Sequence, residues 1–458
     1  MTNRWAIAAL YTAALGLLGS GCAPDDPFDF GGPRSCEAVD QNVWVYDLMQ
    51  QAYLWADDLP AVDPADYESP SAMIRDLRVG DDRWSRVSDK ARSDALYQEG
   101  KVVGLGYRTR RDSDDRVVVA EVTAGSPAAE AGFARGDVIQ AVGGLRTTQL
   151  DEEDRWSEAY GDNMPGVEVQ MEVASPGTRA RPITLTRDWY AIETVPISRT
   201  HQVEGRPVGY LQFATFVDTA PEALDAVFTE WRTAGVREVV IDIRYNGGGL
   251  ISVARHFMHL LAGAVAEGQT AYAIRYNDTF AEENLARSLV RLDPSLPAVD
   301  HVVFITTGSS LSASELLINA VAAHVPVSIV GSTTGGKPVG SKHFDFCDKV
   351  AAPITFRLVN ARGHSDYFDG LTVTCAAPDD LTAPLGDPAE ASLAAALHLL
   401  ATGECLPPPP PPNEGQEEGE GAAAPPSPGL RTRSQPTRSR PNADPDLWPQ
   451  MAILPALP

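Results

Sequence analysis

The sequence predicts an α/β core built on a largely parallel sheet, preceded by a small helical segment and then a mainly β segment. Three observations carry this. From residue 192 to about 401, β-branched runs alternate with amphipathic runs, and such alternation builds parallel sheets with crossover helices. Residues 95–190 hold short Val-rich runs separated by turn residues, the pattern of a small β domain. Between residues 37 and 87, Val43, Tyr46, Leu48, Met49 and Tyr53–Leu54–Trp55 recur near a 3.6-residue period until Asp-Pro and Ser-Pro pairs interrupt them, which predicts short helices.

Taken in order, the chain opens with Arg4, an apolar run over 5–18, and Gly19–Ser20–Gly21–Cys22. The run is short for a membrane span. With the small residues and Cys22 after it, residues 1–22 read as a secretory signal with a lipoprotein cleavage site, Cys22 becoming the lipid-bearing N-terminus. A Pro/Gly/Asp tether over 23–35 follows, then a helical domain over 36–94. In the β segment, 95–190, strands are expected at 102–103, 117–122, 138–142 and 167–173. Ser126–Pro127 starts a short helix there, with Ser as N-cap and Pro at the first position. In the core, 191–405, strands are expected over 208–213, 239–243, 302–306 and 327–330, and helices over 220–234, 251–261 and 312–323. The Pro-rich, low-complexity residues 406–458 read as a disordered spacer.

The 458 residues carry a formal net charge of −25, which argues against binding a phosphate backbone. The tail beyond Cys405 contributes little of it, with four Arg against six acidic residues, so the acidity belongs to the folded body. With Cys22 assigned to lipid, Cys36, Cys347, Cys375 and Cys405 remain, an even set that in an exported protein predicts two disulfides. Of the three possible pairings, the expected one joins Cys347 to Cys375 locally and Cys36 to Cys405 across the ends of the folded body.

Candidate chemistry sits in residues 302–337, which read as strand, turn, helix, strand and Gly-rich loop. A right-handed crossover makes these strands parallel. Ser312 and Lys337, 25 residues apart, then lie just past the carboxyl ends of adjacent strands, the edge where open α/β sheets hold their sites. A third strand ends there in Asn246–Gly247–Gly248–Gly249. The N–H groups of Gly247 and Gly248, with that of Ala313 at a helix N-terminus, can face a developing oxyanion. A serine needs a base, and a lysine among Gly, Val and Pro can be one, because burial disfavours its ammonium. Capping serines and phosphate-binding loops share these features, so spacing alone leaves other readings open.

Ser310–Leu311–Ser312–Ala313–Ser314–Glu315, with Gly335–Gly336–Lys337, closely resembles the carboxyl-terminal processing (tail-specific) serine peptidases. Asp242 to Gly249 is similar to their glycine-rich oxyanion strand, and Val208 to Phe213 to the strand that opens their core. Gly104–Leu105–Gly106–Tyr107 resembles a PDZ carboxylate-binding loop, and Ala124 to Phe133 with Gly136–Asp137–Val138–Ile139 is likewise PDZ-like. The resemblance covers roughly residues 37–400. It implies a crotonase- or Clp-protease-like ββα core with an inserted PDZ domain, a Ser312/Lys337 dyad, and substrates recruited by their C-terminal tails. Members often carry a Gln four residues after the lysine to orient it; here Ser341 stands there. Others use an Asp eleven residues after the serine; here that is Ala323.

Elsewhere, His256 and His259 lack the i, i+4 spacing and intervening Glu of a zinc helix, and no metal or cofactor is expected. His343 and His364 have no partner in the sequence that ties them to Ser312. Asp379–Asp380 read as capping or solvated residues. The expected function is thus an endopeptidase of the bacterial cell envelope, lipid-anchored and facing the periplasm or outer membrane. The readings set against it are a catalytically silent PDZ lipoprotein adaptor and a hydrolase of smaller esters.

Overall fold

The computed structural model describes residues 26–407 and the backbone of residues 453–454. The expected signal segment with Cys22, and the expected spacer apart from those few positions, lie outside the described residues.

The core sheet has six strands in the order β1 (Ile197–Val203), β2 (Arg206–Gln212), β3 (Glu238–Asp242), β4 (His301–Thr306), β5 (Val327–Gly331) and β6 (Cys375–Ala376). β1 and β2 form an antiparallel hairpin, and from β2 onward every pairing is parallel. Helices α1 (Ala220–Ala234), α2 (Ile251–Ala262), α3 (Ala313–Val321) and α4 (Ala391–Thr402) cover it. Side chains alternate along each strand. Val239, Ile241, Val302 and Phe304 therefore face the layer of α1, α2 and α3. Val240, Val303 and Ile305 face α4 through Leu393, Ala396 and Leu399. The α/β core and the parallel crossovers are as the alternation predicts, with boundaries within about two residues. The crossing from β4 through α3 to β5 brings residues 307–312 and 332–337 to one sheet edge.

The β domain is inserted through a two-stranded stem, Lys101–Gly104 against Asp188–Ala191, and carries its own five-strand path and core, including Leu105, Val119, Ile139, Leu150, Val169 and Met171. Helix Lys90–Glu99 runs across the expected 94/95 boundary. The N-terminal helices, Ala38–Ala52 and Pro70–Asp76, lead into strand Arg86–Asp89, which pairs with Lys349–Ala352 of the core.

Two expectations are corrected. Residues 26–35 are not a bare tether: Phe28 is buried, stacking on Phe280 with centroids 4.5 Å apart, and the Phe30 carbonyl accepts from Trp44 Nε1 at 3.1 Å. Burying Phe28 and half-burying Phe30 secures a segment whose Pro/Gly/Asp content reads as linker. The disulfides join Cys36 to Cys347 and Cys375 to Cys405, not Cys347 to Cys375 and Cys36 to Cys405. Cys347 occupies the turn of a hairpin between Phe344–Phe346 and Lys349–Ala352 that reaches the start of the first helix. Cys375 lies on edge strand β6, and the chain leaving α4 passes beside it with Cys405.

Candidate active site

Ser312 is fully buried and caps α3 with φ +61° and ψ −114°. A non-glycine residue held there costs about 1–3 kcal/mol, a strain that clusters at functional sites. Its hydroxyl has no hydrogen-bond partner among the described residues. The loop ahead of it is fixed on both sides. Ser310 Oγ donates to the Ile243 carbonyl at 2.8 Å, Leu311 N to the Asn246 carbonyl at 3.3 Å, and Gly335 N to the Ser310 carbonyl at 3.0 Å.

Lys337 is also fully buried. Burial, then the Arg86 guanidinium, holds its amine well below the usual lysine range, against smaller opposing effects of Asp82 and Glu315. What joins the two loops is Glu315, in the first turn of α3. Its Oε2 accepts from Ser312 N at 2.9 Å and Lys337 N at 2.7 Å; its Oε1 accepts from Gly336 N at 2.7 Å and Thr334 Oγ1 at 2.5 Å. Burial raises its carboxyl above the ordinary value despite these four donors. Gly336 sits at φ +84°, and a Cβ there would meet the Phe368 carbonyl at 2.0 Å, so the turn that delivers Lys337 requires glycine.

Gly248, at φ +107°, lies against Ser312: a Cβ on it would be 2.9 Å from Ala313 N and 3.0 Å from Ser312 Cβ. Its own N–H donates to Asn246 Oδ1 at 2.8 Å. The N–H groups of Gly247 and Ala313 meet no acceptor among the described residues, so of the three expected oxyanion donors these two stand open. Beneath the glycine turn, buried Arg244 bonds Asp242 at 2.8 Å, Glu390 at 2.8 and 2.9 Å, and Asp379 at 3.1 Å. Asp379 therefore corrects the expectation of a capping or solvated residue. It also accepts from Arg135 of the β domain and from Tyr245, because buried cations need fixed counter-charges.

Ser341, on strand Val339–Lys342, is fully buried with a hydroxyl that meets no partner among the described residues. In the β domain, Gly104 ends the stem strand, and the Leu105 and Gly106 carbonyls accept from Ala128 N and Thr123 N at 2.9 and 2.8 Å. Tyr107 begins the edge strand Tyr107–Arg111, its hydroxyl 2.8 Å from that of Tyr160. A cleft of about 450 Å³ runs from this strand across Glu121 and Ile192 to Gly247 and Gly248. The histidines set aside in the sequence serve structure. His256 bonds Asp225 at 2.7 Å, the ring of His259 accepts from Val290 N at 3.2 Å, and His364 bonds Asn319 at 2.9 Å. His343 lies against Tyr97, its Nε2 without a partner among the described residues. Among the described residues no group of three or more His, Cys, Asp or Glu could hold a metal ion.

Glu315 stood in the quoted motif without a role; its signal was the Ser-x-x-Glu spacing of a capping box. Asn246, Glu390 and Trp84, whose ring centroid lies 5.5 Å from Lys337 Nζ, were not singled out.

Residues 207–373 match the model of peptidase family S41, residues 40–86 that of the peptidase S41 N-terminal domain, and residues 118–156 that of a PDZ domain. The C-terminal processing peptidase of Tetradesmus obliquus chloroplasts is 28% identical over 298 residues, covering 62% of each chain. The carboxyl-terminal-processing protease of Synechocystis is 26% identical over 310 residues, covering 66% of this chain and 68% of its own. The chain thus spans roughly two-thirds of the length of these relatives. In fold it is similar to the crystal structure of a putative S41 protease from Bacteroides fragilis, with a TM-score of 0.63 and 24% identity over 78% of this chain and 97% of that one. The matches to the S41 N-terminal domain, the PDZ domain and peptidase family S41 thus fall between residues 40 and 373 in the order in which the fold presents those units.

Proposed function

We propose that this chain is a serine endopeptidase of the cell envelope that cleaves exported or unfolded proteins through an acyl-enzyme on Ser312, with Lys337 as general base. The observation that carries the reading is the shared carboxylate oxygen: Glu315 Oε2 fixes the backbones of Ser312 and Lys337 together at 2.9 and 2.7 Å.

Lys337, its ammonium form disfavoured by burial, takes the Ser312 hydroxyl proton as Oγ attacks the scissile carbonyl carbon. The carbonyl oxygen becomes an oxyanion at the N–H groups of Gly247 and Ala313, aided by the dipole of α3. The Lys337 ammonium returns its proton to the departing amine as the C–N bond breaks, leaving an ester on Ser312. Water then attacks that ester, giving its proton to Lys337, and the released Oγ recovers a proton from it. Ser341 is the residue we assign to orient Lys337, on its burial and position. The PDZ domain receives C-terminal tails at the Gly104–Leu105–Gly106–Tyr107 loop and delivers chain along the cleft. Anchoring by lipid at Cys22, with the body facing the periplasm or outer membrane, completes the proposal; it rests on the signal-like sequence.

The test is cleavage of casein by the chain lacking residues 1–22, beside Ser312→Ala and Lys337→Ala. Cleavage by the parent and by neither variant is expected. Retained cleavage in Ser312→Ala would sink the nucleophile assignment, and binding of C-terminal peptides without any cleavage would favour an adaptor.

A further inference from the structure

The family resemblance accounts for Ser312 and Lys337 but assigns nothing to the wall facing the lysine, which the N-terminal domain supplies. That wall is the turn from Asp82 to Arg86. Asp82 is buried and organises it: Oδ1 accepts from Trp84 N at 2.8 Å and Ser85 N at 2.9 Å, while Oδ2 accepts from Tyr53 Oη at 2.9 Å. Ser85 Oγ accepts from Ile354 N of the core at 2.9 Å, and Arg86 pairs in register with Ala352. So bolted down, the turn places the Trp84 ring 5.5 Å from Lys337 Nζ, within the range of a cation–π contact.

We propose that Trp84 is a positioning residue of the reaction, holding the Lys337 side chain and stabilising the ammonium that forms when Lys337 takes the Ser312 proton. This rests on the dyad reading above. A neutral amine gains little from an aromatic face, whereas an ammonium gains substantially when water is excluded. The ring therefore acts mainly after proton transfer begins, which is where an interaction accelerates chemistry. Among the described residues, the charged and titratable groups around the amine include Arg86 and Asp82 from the same turn, Glu315 from α3, and His343 from beside the core hairpin. Arg83, which is exposed, lies 5.0 Å from the same ring. All are unchanged in the variants proposed.

The experiment is the pH dependence of kcat/KM on casein-derived fluorogenic peptide for the parent, Trp84→Leu and Trp84→Phe, with rates normalised to the folded fraction. Losing the ring's hold on the ammonium lowers the apparent pKa of Lys337. The acid limb of Trp84→Leu should thus move to lower pH by roughly 0.5–1.5 units, with kcat falling more than KM changes. Trp84→Phe, which keeps an aromatic face, should lie between and carries the test if the Leu variant does not fold. Water entering a loosened pocket pushes the limb the other way, because it relieves the burial of the ammonium. A limb that is unmoved or raised in both variants overturns the proposal. Ser312→Ala and Lys337→Ala in the same series separate the two ideas. If either cleaves, the dyad fails and takes this role with it; if both are silent and the limb does not move, only the role of Trp84 fails.

Discussion

The backbone nitrogens of Ser312 and Lys337 donate to one and the same oxygen, Glu315 Oε2, at 2.9 and 2.7 Å. The Ser312 loop and the Lys337 loop are separate excursions from β4 and β5, and this oxygen sets their separation. A charged acceptor of four donors is worth more than a neutral one. Glu315→Gln keeps the shape but turns an amide toward two of the donors. It should lower kcat/KM by at least ~10²-fold, since misplacement of about 1 Å has that cost, and lower stability by roughly 2–3 kcal/mol. Peptidase assays and urea unfolding would check both, and unchanged activity would remove Glu315 from the catalytic framework.

Lys337 makes the opposite prediction for stability. Its amine lies well below the usual range when folded, so between that depressed value and about 10.4 the unfolded chain binds a proton that the native chain does not. Stability therefore rises with pH through this window and is lost as pH falls. Lys337→Met removes the burden. It should raise Tm at pH 7 by several degrees and flatten its rise toward pH 10, while abolishing cleavage. Calorimetry across pH 6–10 would show whether the two curves converge at the alkaline end as expected.

The two disulfides differ in the chain they close, 311 residues apart for Cys36–Cys347 and 30 for Cys375–Cys405. On the loop-entropy account, removing the first should cost roughly 2 kcal/mol more than removing the second. It should also loosen the N-terminal domain that supplies Trp84. Paired Cys→Ala variants compared by thermal melting and by limited proteolysis would test the ranking. Equal losses would mean that the segment around Phe28 and Trp44 holds the domain without the covalent link.

The sequence made the parallel core legible because strand and helix periods alternate cleanly there, and a crossover of fixed hand left little freedom in where Ser312 and Lys337 fall. The placement of Gly247 and Ala313 at the same sheet edge was legible for the same reason. The N-terminal contribution was not. Trp84 reads as one more apolar residue of a small helical domain, and nothing local shows that the strand just after it joins a hairpin about 260 residues later. The disulfides were misjudged on the same ground, since proximity along the chain is a poor guide when a hairpin carries Cys347 to the first helix. Glu315 was visible as a capping-box residue, but its reach to the Lys337 loop depends on two strand ends meeting.

Arg244 ties the glycine turn to the rest of the fold. Its guanidinium is fully enclosed and bonds Asp242 and Glu390, each buried as well, at 2.8 Å. Removing one partner of such a cluster leaves charge stranded in a low-dielectric interior, whereas neutralising all of them together does not. Arg244→Met should therefore cost about 3–5 kcal/mol and displace Tyr245, Asn246 and Gly247, silencing cleavage. Adding Asp242→Asn and Glu390→Gln to it should recover much of the stability. Activity should return only as far as the turn regains its place. If the single variant is as stable as the parent, the cluster is not a structural anchor, and the position of Gly247 must be set by the Asn246 side chain, which donates to the Phe213 carbonyl at 2.9 Å.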